Sequence, residues 1–333
     1  MNSFERVNRF ILGQKVDRIP ITPILMQFAS KFINKPFSRY LLDYRTLVES
    51  HLKCMDYFGF DMLMTLSDAY RETFDFGANI EFPYDSLPLS KEPFISSFDD
   101  VKKLKRINPL DSPRMLDRIK AVELYKKEVG NDVPILGWVE GIMAELTDLR
   151  GMGNIMVDLY ENTDFLEEMS EIVMDVEKQF ALEQIKVGAH FIGIGDAACS
   201  LISPKMYADY FMLKEKELVE FIHSNGAKAK LHICGNTTNH IKYMVETGAD
   251  IIDIDWMVPI KESVRYLKEG QVLCGNPDPV EVIMNGSKDY IIEVSKKCIE
   301  DGNGKLILSA GCEITRDTSI ENLKVFCDMW KYI

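Results

Sequence analysis

Eight short apolar runs recur along the chain, and amphipathic or polar stretches separate them. Most of the runs are too short to form helices, and several are rich in isoleucine and valine. Their hydrophobicity is continuous rather than alternating, which is typical of parallel strands that are covered on both faces. The runs are Ile19–Leu25, Asp61–Leu66, Val133–Val139, Phe191–Asp196, Lys228–Cys234, Ile251–Trp256, Gln271–Asn276 and Leu306–Gly311.

Helical patterns fill the spaces between the later runs. Ser203 and Pro204 give a start signal, because serine caps a helix and proline suits its first position. Further helices are predicted over Thr238–Thr247, after Asp278 and Pro279, and through Tyr290–Glu300. Eight strands that alternate with helices predict a closed (β/α)8 TIM barrel of the α/β class. The alternative is an open doubly wound sheet, but the GxGxxG fingerprint of that fold is absent.

Two segments are additional to the eight strand–helix units of a minimal barrel. Residues Ser3–Leu12 predict an N-terminal helical extension. Residues 67–132 are too long for one crossover and predict an inserted lid between the second and third strands. This insertion contains a hairpin-like stretch at Phe74–Pro83, followed by helical patterns at Val101–Lys105 and Pro113–Val129. We therefore expect residues 1–333 to form a single barrel domain.

Composition and charge narrow the class of protein. The net charge of −13 argues against a nucleic-acid binder and against an anionic membrane surface as partner. No stretch approaches the roughly 18 apolar residues of a membrane span, and the N-terminus lacks the pattern of a signal peptide. The seven cysteines are an odd number in a large chain, which favours free thiols in a cytoplasmic protein.

Three soft donors lie at predicted strand ends. His232 and Cys234 stand two positions apart at the end of the fifth run, so strand alternation directs both side chains to one side. Cys312 directly follows the eighth run. The carboxyl ends of barrel strands meet at one face of the barrel, so we expect the three donors to lie close together there. Three protein ligands with one open coordination position are typical of catalytic zinc. The alternative is a chance histidine–cysteine pair with cysteines that serve as small apolar residues.

A zinc centre with two thiolates favours a particular chemistry. The two thiolates already neutralise the dication, which weakens it as a Lewis acid for water. A third sulfur in the open position would stay deprotonated and electron-rich. Such a centre favours alkylation of a thiol over hydrolysis.

Several motifs together resemble the uroporphyrinogen decarboxylase superfamily. They are His232-Ile233-Cys234-Gly235-Asn236, Glu246-Thr247-Gly248-Ala249-Asp250, Gly275-Asn276-Pro277-Asp278-Pro279 and Ser309-Ala310-Gly311-Cys312-Glu313-Ile314. The resemblance covers nearly the whole chain and is strongest from Pro134 onward. It implies the (β/α)8 fold independently of the strand pattern.

Within this superfamily the chain resembles the zinc-dependent corrinoid methyltransferase branch. The decarboxylases carry an Arg-Gln-Ala-Gly-Arg motif that binds substrate carboxylates, but the region Met26–Lys31 lacks both arginines. They also carry histidine near the position of Cys312. Cys234 and Cys312 lie 78 positions apart, similar to the methylcobamide:coenzyme M methyltransferases.

The resemblance implies Zn²⁺ as a bound cofactor and a corrinoid that a partner protein carries, because the chain lacks the cobalamin-binding motif Asp-x-His-x-x-Gly. It also implies a small-molecule methyl donor or acceptor, such as a thiol. The direction of transfer stays open, and a homodimer is compatible with the barrel.

Other polar residues near predicted strand ends are weaker site candidates. Glu140 is a candidate fourth zinc ligand or proton carrier, with a rim carboxylate as the alternative. Asp196 matches an aspartate of the family and is expected to orient substrate or His232, with a helix cap as the alternative. Asp253 or Asp255 is expected to face the barrel mouth. The predicted substrate-binding residues are Tyr70, Cys199, Asp255 and Asn276, with Arg71 beside them.

Two other functions compete with methyl transfer. A metal-independent decarboxylase or lyase would depend on Asp196, and the missing arginines count against it. A non-catalytic zinc-binding or corrinoid-handling protein would bind metal without turnover.

Overall fold

A computed structural model describes all residues 1–333 and shows a TIM barrel. Its sheet contains seven parallel strands in the order β1-β4-β5-β6-β7-β8-β9, and a separate antiparallel pair is formed by β2 and β3. The bounds are β1 Leu63–Met64, β2 Ile80–Glu81, β3 Leu89–Ser90, β4 Ile135–Glu140, β5 Phe191–Gly195, β6 Lys228–Ile233, β7 Ile251–Ile254, β8 Val272–Gly275 and β9 Leu306–Leu308. Seven of the eight predicted runs thus contain a strand.

The predicted first strand, Ile19–Leu25, is wrong as a regular strand. Only Ile21 forms a bridge, with Leu308, because Pro20 and Pro23 remove the backbone donors on either side of it. The extended segment still joins both edges of the sheet: the Thr22 amide donates to the Leu308 carbonyl at 2.9 Å, and the Asp61 amide donates to the Ile21 carbonyl at 2.8 Å. The barrel is therefore closed.

Helices surround the sheet on the outside. The α-helices span Ser3–Ile11, Gln27–Phe32, Phe37–Leu42, Tyr44–Phe58, Arg71–Asp75, Pro113–Val129, Ile142–Arg150, Met152–Glu161, Thr163–Lys186, Pro204–Met206, Met212–Ser224, Ile241–Glu246, Ile260–Ser263, Lys288–Asp301 and Ile320–Cys327. None of them combines the length and the apolar character that crossing a bilayer requires.

In several places where the sequence predicts an α-helix, the structure contains a 3₁₀ helix or a π-helical turn instead. The 3₁₀ helices span Phe98–Lys103, Ala197–Leu201, Val264–Tyr266 and Met329–Lys331, and π-helical turns span Tyr207–Phe211 and Pro279–Met284. Ser203 caps its helix as predicted, since its hydroxyl accepts the Met206 amide. The predicted helix at Val101–Lys105 is instead 3₁₀ and begins at Phe98.

The N-terminal helix Ser3–Ile11 covers the amino end of the barrel. Its Val7 and Phe10 side chains are buried with the apolar residues of the barrel interior, among them Leu136. The Phe4 amide donates to the Asp132 carbonyl just before β4. Because this end is covered, access to the interior is left to the carboxyl end of the strands.

The segment between β1 and β4 contains the predicted hairpin and the predicted helix Pro113–Val129. The hairpin pairs Ile80 with Ser90, so its first strand lies within the Phe74–Pro83 stretch and its second strand lies after it. A role of this segment as a lid remains a prediction.

Asp61 ties the N-terminal helix to the barrel. This carboxylate is fully buried and accepts hydrogen bonds from the guanidinium of Arg6 at 2.7 Å and from that of Arg18 at 2.7 and 2.8 Å. It also accepts from the Ser3 hydroxyl and from the Ile21 amide at 2.9 Å. One side chain thus connects the extension, the closing segment and the start of β1.

We expect Asp61→Ala to destabilise the protein by about 3 kcal/mol, because it leaves the half-buried Arg18 without its carboxylate and the buried Arg6 with Asp17 alone. The urea dependence of tryptophan fluorescence measures this loss. The control Asp99→Ala removes an exposed carboxylate paired only with Lys102 and should change stability by less than about 0.5 kcal/mol. Equal stability of the two variants would contradict the assignment.

Candidate metal centre and substrate pocket

Strand β6 carries two of the three predicted metal donors. Alternation along the strand directs Lys230, His232 and Cys234 to the barrel interior. The His232 Nε2 atom lies 2.9 Å from the Cys234 sulfur. The pair predicted from the sequence is therefore brought together at the carboxyl end of the barrel.

Cys312 reaches the same point from the segment after β9. Its sulfur lies 3.8 Å from the sulfur of Cys234. Gly311 makes this approach possible, because a β-carbon at that position would lie 2.3 Å from the Trp256 amide nitrogen. The Gly311 amide donates to the Pro277 carbonyl at 3.0 Å, which fixes the turn before Cys312.

The donor set fits zinc. The ligand atoms of His232, Cys234 and Cys312 all lie within 4.8 Å of one another. Two sulfurs bound tetrahedrally to zinc at ~2.3 Å are separated by about 3.8 Å, which matches the observed spacing. The hydrogen bond from Cys234, helped by His232, lowers the pKa of Cys312 to about 4.

Asp253 lies behind His232, on the side away from the sulfurs. Its carboxylate is fully buried, 3.2 Å from His232 Nδ1 and 2.8 Å from the ammonium of Lys230. Burial alone would raise the pKa of Asp253, but the charges of Lys230 and His232 lower it below the ordinary value. The carboxylate thus lies against the Nδ1 side of the imidazole ring, while Nε2 faces the sulfur of Cys234.

Two neighbouring cavities adjoin the three donors. The inner cavity, about 150 Å³, is bounded by His232, Cys234 and Cys312 and otherwise has mostly apolar walls that include Trp138. The outer cavity, about 360 Å³, has Cys234 at its inner end. Glu140 lines both cavities. A small molecule in either cavity can contact the metal donors.

Glu140 ends β4 and lies in the wall that the two cavities share. Its Oε1 atom accepts a hydrogen bond from Arg71 at 2.8 Å. Burial raises the pKa of Glu140 well above its ordinary value, although Arg71 opposes the shift. The structure does not bring Glu140 into the donor cluster, so its roles as fourth ligand or proton carrier remain predictions.

Asp196 and Cys199 are not where the sequence analysis expected them. Asp196 is fully buried, and its carboxylate accepts the Met143 and Ala144 amides at the start of the helix Ile142–Arg150. It orients neither His232 nor a molecule in the cavities, and the helix-cap alternative describes it. Cys199 is also fully buried, beside Asp196 and Glu215, and lines neither cavity. Asp196 directly precedes the 3₁₀ helix Ala197–Leu201, and Cys199 lies within it.

The predicted substrate-binding residues Asn276, Asp255 and Tyr70 are engaged elsewhere. The Asn276 amide donates to the Asp255 and Val258 carbonyls at 3.1 and 2.6 Å. The Asp255 carboxylate accepts the Gly235 amide at 2.6 Å, which secures the turn after Cys234. Tyr70 is half-buried and lines neither cavity. None of the three side chains faces the cavities.

Sequence reasoning missed three carboxylates that line the cavities, Asp68, Glu313 and Asp148. Asp68 is paired with Arg114 at 2.6 Å. Glu313 follows Cys312 and accepts the Gln27 amide at 2.8 Å, and burial raises its pKa to about 7. Its adjacency to Cys312 was the available signal. Asp148 lies on the helix Ile142–Arg150, and its position in sequence gave no signal.

Comparisons with known proteins agree with this architecture. Methylcobamide:CoM methyltransferase MtbA of Methanosarcina mazei is 30% identical over 235 residues, which cover 69% of this chain and 67% of that protein. Uroporphyrinogen decarboxylase of Prochlorococcus marinus is 25% identical over 96% of this chain and 95% of its own length. A solved methyltransferase from Methanosarcina mazei superposes with a TM-score of 0.91 at 20% identity, over 100% of this chain and 99% of that structure.

The sequence profile of the uroporphyrinogen decarboxylase (URO-D) family matches residues 2–332, and the whole barrel described above lies within that match. The chain therefore belongs to the uroporphyrinogen decarboxylase family.

Proposed function

We propose that this protein is a zinc-dependent methyltransferase that moves a methyl group between a corrinoid protein and a small thiol or its methylated form. One observation carries the proposal. Two cysteine sulfurs and one imidazole nitrogen converge beside a cavity of about 150 Å³ that can hold a small molecule. The similarity to a methylcobamide:CoM methyltransferase supports the same function.

The residues of the centre have distinct roles. His232, Cys234 and Cys312 would hold the metal, which when bound supplies a position where a substrate thiol is kept as thiolate. Asp253 and Lys230 hold the His232 ring in place. The apolar walls of the inner cavity, such as Trp138, exclude water from the reacting sulfur.

The cavities argue against decarboxylation of a polycarboxylate. Neither cavity has a lysine or an arginine in its lining, so nothing there can bind several carboxylates. Met26 lines the inner cavity in the region where the decarboxylases carry arginine. Lys31 lies on the surface, paired with Asp317 at 2.7 Å. The missing arginines are therefore not replaced from elsewhere.

The corrinoid would be carried by a separate protein that docks over the carboxyl end of the barrel. The chain itself has no Asp-x-His-x-x-Gly motif. The N-terminal helix covers the other end, so the cavities are reached only from the side where the donors lie. A non-catalytic zinc protein would share the centre, and only a transfer assay separates it from an enzyme.

Metal analysis tests the centre. We expect about one zinc per chain in the wild type and a loss of most of it in His232→Ala, Cys234→Ala and Cys312→Ala, because each variant leaves two protein ligands. Elemental analysis after purification without chelators measures the content. Cys298→Ala is the control, since this half-buried cysteine lies outside the donor cluster. A wild-type protein that contains no zinc would contradict the proposal.

Methyl transfer tests the reaction. With methylcobalamin as donor and a small thiol as acceptor, we expect the zinc-loaded wild type to form thioether and Cys312→Ser to lose at least about 100-fold in rate, because serine does not provide a thiolate ligand. The change in the corrinoid absorption spectrum measures the rate. A fully active Cys312→Ser variant would contradict the zinc–sulfur mechanism.

The carboxylate behind His232 gives a further prediction. Asp253→Asn should weaken zinc affinity by about 10- to 100-fold, because the imidazole loses the group that orients it. Competition with a chromophoric chelator measures the affinity. Asp250→Asn is the matched control, since Asp250 pairs with Lys228 and His223 at the other end of β7. Equal affinities of the two variants would refute the role given to Asp253.

A further inference from the structure

The lining of the outer cavity contains acidic side chains but no basic side chains. Glu140 and Asp148 both line it, and Cys234 lies at its inner end. No lysine or arginine lines it, and much of the remaining wall is apolar, including Met152 and Leu201. A molecule that extends from Cys234 toward Asp148 would contact carboxyl groups and apolar side chains but no basic side chain.

Both carboxylates have unused hydrogen-bonding capacity. Glu140 is only 5% exposed, and its Oε1 atom is bound by Arg71, whereas its Oε2 atom has no hydrogen-bond partner. Asp148 is half-buried and has neither a hydrogen bond nor an ion pair. A carboxyl oxygen without a partner in a partly desolvated wall is costly, so a ligand that supplies positive charge and donors would be stabilised there.

The surroundings do not supply that positive charge. Arg71 is fully buried and already shared between Glu140, Glu72 and the Asp68 carbonyl. Burial, with the charges of Glu72 and Asp68, raises the pKa of Asp148 to about 8. A cation bound beside Asp148 would favour its ionised form.

We infer that the small-molecule substrate carries a positively charged ammonium group, which Glu140 and Asp148 bind while its sulfur faces the metal donors. This inference rests on the proposed function and specifies its substrate class. Coenzyme M, the acceptor in the name of the methylcobamide:CoM relative, is a thiol with a negatively charged sulfonate. The Oε2 atom of Glu140 and the carboxyl group of Asp148 offer no positive charge to such a group, and any ionised fraction of them would repel it.

The ammonium group takes no part in the bond changes. The carbon–cobalt bond of the methylated corrinoid breaks with its electron pair left on the corrinoid, and a sulfur lone pair forms the new carbon–sulfur bond. The thiol proton is released to solvent. Glu140 and Asp148 are thus residues that determine specificity.

Three two-carbon thiols that differ in charge test the inference. Methylcobalamin is the donor, and the acceptors are cysteamine (positive), 2-mercaptoethanol (neutral) and 2-mercaptoethanesulfonate (negative). We expect kcat/KM to be highest for cysteamine and at least about ten-fold higher than for the sulfonate, since placing like charges together is unfavourable. In Asp148→Asn the ratio of cysteamine to 2-mercaptoethanol should fall about ten-fold.

A binding measurement without turnover provides a second readout. Isothermal titration calorimetry compares 2-(methylthio)ethylamine with 2-(methylthio)ethanesulfonate in the absence of corrinoid. The amine should bind more tightly, and Asp148→Asn should reduce that preference. Asp56→Asn is the matched control, because Asp56 is exposed on the helix Tyr44–Phe58, and it should keep the wild-type preference.

The outcomes separate this inference from the proposed function. Transfer to the sulfonate in preference to cysteamine would overturn the inference and leave the methyltransferase function intact. If none of the three thiols accepts a methyl group, the proposed reaction fails, and the calorimetric preference then decides whether the cavity binds cations. Equal preferences in wild type and Asp148→Asn would also refute the role of Asp148.

Discussion

The register between β6 and β7 is the constraint on which the barrel mouth depends. It pairs His232 with Asp253, so the imidazole and its carboxylate face each other inside the barrel. A slip of one residue would turn Lys230, His232 and Cys234 into the helical layer together. Lys230 makes the burial of Asp253 tolerable, because it neutralises a carboxylate that no water reaches.

The sequence predicts the barrel well because each strand is a continuous apolar run, and it predicts the convergence of His232, Cys234 and Cys312 because these residues lie at strand ends. Alternation along β6 alone brings His232 and Cys234 to one side. Where prolines interrupt a run, as at Ile19–Leu25, hydrophobicity does not reveal that the backbone lacks the donors for a regular strand.

The direction of side chains beyond the strand ends is harder to predict. Asp196 follows β5 directly, but the chain turns there into a 3₁₀ helix, and the amides of the helix Ile142–Arg150 attract the carboxylate. The Asn276 side chain is similarly taken by two backbone carbonyls. Such demands come from segments far away in sequence, so residue type and strand position do not reveal them. Asp148 is the opposite case. It lines the outer cavity, but it lies on a helix, and nothing in the sequence marks it as a pocket residue.

Cys234 and Cys312 are distant in sequence but adjacent in the folded barrel. The donors assemble only after the last strand has docked and the Gly311 turn has packed against Trp256. A metal ion held by these donors would bind only the folded chain and would therefore stabilise it by mass action. Chains made during zinc scarcity would be the first to reach cellular proteases, so zinc supply would set the abundance of the protein as well as its activity.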